Sequence, residues 1–146
     1  METNFINYIA ESTAKALGME TTPRFVRWVS YRGHARQHYY GKDEPVFVLP
    51  RWLQRESNFH QIAYIAHEVA HHAAWGDNVN GGHCDRFYEA ERKALLSFGL
   101  EPRYRKGYRY VVELLAAGTN VPVWTKLTAH GERLKYSVHR DGDFYW

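Results

Sequence analysis

Cysteine is almost absent from this 146-residue chain, in which Cys84 stands alone. A single thiol cannot close an internal disulfide or build a cysteine-based zinc ribbon, and its scarcity fits a reducing cytoplasm. Long apolar runs are missing as well. No stretch approaches the ~18 residues that a spanning helix needs, so no membrane segment is expected. The opening Met1-Glu2-Thr3-Asn4 has no basic region leading into an apolar one, and no secretory leader is expected. Strong charge of one sign is also lacking: 19 Lys and Arg against 16 Asp and Glu leave a net +3, a weak lean towards acidic partners. Aromatic side chains are what the chain has in quantity, at 16% of residues, which predicts a core and clefts built from large rings.

The length suits one domain with its own core. Phe5 to Leu17 places Phe5, Ile6, Ile9, Ala10, Thr13 and Leu17 at helical spacing, with Gly18 as the C-terminal stop. The aromatic and β-branched run Phe25 to Tyr31 reads as a strand. Gly33 and Gly41 punctuate the next stretch, and Pro45 to Pro50 reads as a short buried strand between two prolines. A helix is predicted from Ser57-Asn58 to Trp75, with an apolar stripe of Ile62, Ile65, Ala66, Val69 and Ala73. A second runs from His83 to Phe98, ended by Gly99. Pro102 opens a basic, tyrosine-rich stretch that leads into a further helix, Val111 to Ala117. The tail from Val121 to Trp146 alternates apolar and polar residues and reads as short strands or a hairpin. The expected division is a domain over residues 1–118 and a β-rich C-terminal extension, residues 119–146, packed on it.

The chemistry concentrates in His67-Glu68-Val69-Ala70-His71. Two imidazoles four residues apart on a helix share one face and can share one metal ion. The Glu between them then stands beside the open coordination position, where it can take a proton from attacking water. A shuffled chain of this composition would contain HExxH with a probability of about 4%, so the surrounding residues must carry the assignment. His83 ranks first as third ligand, because a glycine-rich turn can fold it back over the preceding helix and leave a fourth position open for water. Phe87, one turn further on, would wall the site from behind. Glu91 ranks second, since a Glu on the following helix completes other zinc peptidases, and Glu89 is a poorer version of it. Asp77 ranks third, although Ala74 stands where that loop pattern uses glycine. His72 points about 100° away from His71 around the helix and reads as a supporting or surface residue. Cys84 diverges in direction from its neighbour His83 and reads as a bystander. His34, His38, His60, His130 and His139 lack ligand-like spacing.

Four features in order carry a resemblance: Gly33-His34-Ala35, Val46-Phe47-Val48-Leu49, Ile65 to His71, and Gly82-His83-Cys84-Asp85-Arg86-Phe87. Together they resemble the SprT-like/Spartan metalloprotease domain over about residues 24–98. The resemblance implies an α+β, zincin-like fold: a small mixed or antiparallel sheet on the HExxH helix and a following ligand-bearing helix. It implies zinc held by His67, His71 and His83, Glu68 as general base, and a protein or peptide substrate. This chain departs in having Cys84 where family members often have Gly, a short spacer between His71 and His83, and no zinc ribbon after the domain.

Tyr104, Tyr108, Tyr110 and His130 are the groups considered for oxyanion stabilisation, and Phe25 to Tyr31 or Val46 to Leu49 for the exposed strand edge that an extended peptide would join. A second function class is a nucleic-acid-associated protein with a zinc site, either a protease acting on DNA-linked substrates or a binding module without turnover. Its contacts would be Arg103, Arg105, Lys106 and Arg109 interleaved with tyrosines, plus Trp124, Lys126, Arg133, Lys135, Tyr136 and Arg140 in the tail. A third is a purely structural zinc site, disfavoured because such sites are usually closed by four protein ligands and often use cysteine.

Overall fold

The computed structural model describes residues 2–75, 83–104 and 111–125. It is an α+β arrangement of three α-helices and two three-stranded sheets. Helix α1 spans Thr3–Ala16 and strand β1 spans Arg24–Val29. They match the apolar spacing of the first segment and the β-branched run of the second. Strands β2 (His34–Tyr39) and β3 (Lys42–Pro50) form a hairpin closed by Tyr40 and Gly41 at φ 50° and 76°. Two successive positive φ values suit the two-residue turns that match strand twist.

β3 is the middle strand, parallel to β1 and antiparallel to β2. Its stretch Val46–Leu49 is buried for that reason, with hydrogen-bonded neighbours on both sides. It cannot offer an edge to a peptide. The free edges of this sheet belong to β1 and β2, and β2 was not recognisable as a strand from its polar sequence His-Ala-Arg-Gln-His-Tyr.

Helix α2, Asn58–Ala73, starts where the capping residues place it: Ser57 Oγ accepts from the His60 amide at 3.3 Å. The single apolar stripe expected of it is too narrow a description. α2 lies at the centre of the molecule and is buried nearly all round, as a helix with elements packed on every side must be. Tyr64, Ile65 and Val69 face α1 and β3, joining Ile6, Ile9, Phe47 and Leu49. Ala63 and Ala66 face the opposite way, against Ala94, Leu95, Leu100 and Leu114. The small alanines let α3 and the second sheet come close, while the large side chains fill the space under the first sheet.

Gly33 fixes where β2 meets α2. Its amide donates to Tyr64 Oη at 2.7 Å, and a Cβ there would stand 2.5 Å from Val48 O and 2.8 Å from Tyr64 Cε1. Only a residue without a side chain permits this approach.

Helix α3, Asp85–Ser97, begins two residues after His83 and buries Phe87, Glu91, Ala94 and Leu95 along one face. Gly99 ends it at φ 74°. Strands β4 (Leu100–Tyr104), β5 (Val111–Ala116) and β6 (Pro122–Thr125) make the second, antiparallel sheet in the order β4-β5-β6.

The segment Val111–Ala117, expected as a helix, is therefore a strand. Its buried residues Val111, Leu114 and Leu115 fall at i, i+3 and i+4 and mimic a helical stripe. The cause is a bulge: Arg103 pairs with Glu113 but Tyr104 pairs with Val111, so Val112 is extra and the in–out alternation changes phase. Pro102 sits within β4, which is an edge strand and tolerates it. β6 shares its sheet with β5, so residues up to Thr125 continue the same layer. The remainder of the tail lies outside the described residues. No described helix is long and apolar enough to cross a membrane.

Candidate metal centre

α2 presents His67 and His71 on one face, and the chain just before α3 brings His83 to them. His71 Nε2 lies 3.2 Å from His67 Nε2, and His83 Nε2 lies 3.3 Å from it. Ligand atoms of all three histidines fall within 4.8 Å of one another. Ring nitrogens this close repel unless a proton or a cation sits between them. Nitrogens bound tetrahedrally at the usual ~2.0–2.1 Å would be about 3.3 Å apart, which is the spacing of both close pairs. Three histidines close together could therefore hold a metal ion.

The aromatic wall is present. Phe87 is fully buried, and its ring stacks on His71 at 4.3 Å and on His83 at 4.7 Å, meeting His67 edge-on at 4.8 Å. Its planar contacts restrict how far the His71 and His83 rings can turn. Exposure rises along the triad: His67 is buried, His71 half-buried and His83 exposed. The cluster thus opens to solvent on the His83 side.

Glu91, weighed as an alternative ligand, stands behind the cluster and not in it. Its Oε2 lies 2.6 Å from His67 Nδ1, the nitrogen facing away from the other histidines, and its Oε1 accepts from Tyr104 Oη at 2.9 Å. Tyr104 is thereby turned towards Glu91, which disagrees with an oxyanion role for it. Burial and the Glu91 carboxylate push the Tyr104 phenol far above its usual range, so it remains a donor. Glu89 is exposed. Asp77, Tyr108, Tyr110 and His130 lie outside the described residues.

Glu68 is 1% exposed, with Oε1 3.9 Å from His67 Nε2 and Oε2 lacking a hydrogen-bond partner among the described residues. Burial, then the nearby Glu91 carboxylate, raises its pKa well above the ordinary carboxylate range. Two buried acidic groups beside three imidazoles form a site short of positive charge. A divalent cation at the imidazoles is the kind of group that would supply it. The residues present fit a bound metal on both counts, nitrogen spacing and charge.

His72 has a different task. Its Nε2 donates to Val46 O at 2.9 Å, and its Nδ1 accepts from Gln37 Nε2 at 3.0 Å, which ties α2 to β3 and β2. Burial lowers its pKa, in keeping with this neutral tautomer. An open groove of about 400 Å³ lined by Gln37, His38, Asp43, Pro45 and Trp75 lies on this side and includes no member of the triad. Cys84 packs against Ala70, Ala74 and Phe87 and is not one of the clustered ligands.

Arg103 is exposed and lies 3.5 Å from Glu113 Oε2 on the neighbouring strand and 3.5 Å from Asn120 Oδ1. Trp124 is buried at 5% exposure against His60 and cannot stack on a base. Arg105, Lys106, Arg109 and the tail residues from Lys126 onwards lie outside the described residues.

Sequence reasoning missed the Tyr104–Glu91–His67 chain. Spacing pointed to Glu91, but not to which side of His67 it approaches, and Tyr104 reaches it only because β4 exists. No protein-family model matches the chain, and no curated protein or solved structure matches it either.

Proposed function

We propose that this chain is a zinc-dependent metallopeptidase of SprT-like, zincin-like type, acting in the cytoplasm on protein or peptide substrates. One observation carries the reading: three histidines converge at metal-binding spacing beside a buried carboxylate with an oxygen unpartnered among the described residues. Zinc is favoured because imidazole ligands with one open position suit it. His67, His71 and His83 would hold the ion, which would supply Lewis acidity and make water a competent nucleophile near neutral pH.

Glu68 is the base. Its Oε2 takes a proton from the attacking water and returns it to the departing amine, so that water is consumed across the amide bond. The opening at His83 admits the scissile bond. β2 is an edge strand tied to α2 through the Gln37–His72 contact, and its main-chain groups suit an extended peptide joining as a further strand. Trp124, buried against His60, does not serve the DNA-linked alternative as a stacking surface.

The test is hydrolysis of an unfolded protein such as casein. The zinc-loaded protein should cleave it, lose more than about 95% of that activity to a chelator, and regain it when zinc is restored. Undiminished cleavage after zinc removal would overturn the assignment.

A further inference from the structure

His67 is the most enclosed of the three clustered histidines, at 3% exposure, and something in the protein must therefore set its orientation and its proton. A neutral imidazole carries one N–H, and a ligand nitrogen must be the other one. Glu91, itself 1% exposed, uses both carboxylate oxygens: Oε2 at 2.6 Å from His67 Nδ1 and Oε1 at 2.9 Å from Tyr104 Oη. The phenol donates to Oε1, which leaves Oε2 directed at His67 Nδ1. A carboxylate oxygen 2.6 Å from Nδ1, with Nε2 facing the ring nitrogens of His71 and His83, favours the imidazole proton on Nδ1.

We infer that Tyr104 and Glu91 are positioning residues that hold His67 as the Nδ1–H tautomer, with its Nε2 lone pair aimed at the metal site. The inference rests on the metal-site reading and extends it to the second sheet. Tyr104 is the last residue of β4, and Glu91 lies in the middle of α3. The ligand on α2 is thus set by one buried and one half-buried side chain from two other elements. Phe87 stacks on the His71 and His83 rings, a contact that restrains a ring plane and does not itself set a tautomer. Preorganising one tautomer avoids a proton shift inside a buried ring whenever metal binds. The pair also couples metal affinity to the integrity of the second sheet, since Tyr104 reaches Glu91 from its edge strand.

The experiment compares the wild-type chain with Glu91→Gln, Tyr104→Phe and the double variant. Two readouts are needed: zinc affinity by chelator competition, and the imidazole nitrogen chemical shifts of the metal-free proteins at about pH 8, where histidine is neutral. The wild type should show His67 protonated on Nδ1 and bare on Nε2. Glu91→Gln should abolish that preference and weaken zinc binding by about 10–100-fold. Tyr104→Phe, which removes only a hydroxyl and keeps the ring, should weaken zinc binding several-fold, and it should add nothing in the Glu91→Gln background. A role in packing alone would change unfolding midpoints without moving the tautomer.

Zinc bound equally by wild type and Glu91→Gln, or a wild-type His67 protonated on Nε2, would overturn the positioning pair while leaving the metal site standing. A wild-type protein that binds no zinc would overturn the site and this role together. Should Glu91→Gln not fold, Tyr104→Phe decides the matter by the same two readouts.

Discussion

Glu68→Gln is expected to leave zinc bound and to lower peptide hydrolysis by about 10²–10⁴-fold, the usual worth of a positioned general base. The side chain is 1% exposed and has one oxygen without a hydrogen-bond partner among the described residues, while standing 3.9 Å from His67 Nε2. Glutamine has the same shape, so the three histidines and the Phe87 wall keep their places. What it loses is the capacity to accept a proton. Zinc content and rate, measured on the same preparation, separate the two roles: full zinc with turnover within a few-fold of wild type would remove Glu68 from the chemistry.

Zinc is also expected to raise the melting temperature of the wild-type protein substantially, and His71→Ala to abolish the rise. At free zinc about 1,000-fold above the dissociation constant, binding to the folded state alone adds about 4 kcal/mol. For a domain of this size that corresponds to an upward shift of roughly 10 °C. His71 is the informative position. It is half-buried and stacked on Phe87, whereas removing His67 would strand the buried Glu91 carboxylate and damage the fold for a second reason. Calorimetry with and without zinc checks both variants, and a wild-type melting point indifferent to zinc would remove the ion from the folded structure.

Helix α2 was legible because two independent signals agree on it. Ser57 caps its first turn, and HExxH demands that both histidines share a face. The same holds for α3, whose stop at Gly99 is written in the residue type. His83 was legible as a member of the cluster because it lies only twelve residues after His71 and is preceded by two glycines in the sequence. Strand β5 was not legible, since the bulge at Val112 gives its buried residues a helical spacing that local pattern cannot distinguish from a real helix. β2 hides for the opposite reason: every second residue is polar and exposed, and its identity comes from pairing with β3. Glu91 and Tyr104 belong to this class as well. Their pairing depends on the approach of α3 and β4 to α2, a tertiary fact that no spacing along the chain encodes.

Direct inspection of the ion's surroundings bears most heavily on the whole account. X-ray absorption at the zinc edge of the protein loaded with one equivalent should show three imidazole nitrogens and one oxygen at about 2.0–2.1 Å. A sulfur neighbour at about 2.3 Å, which only Cys84 or a methionine could provide, or four protein ligands with no exchangeable position, would contradict it.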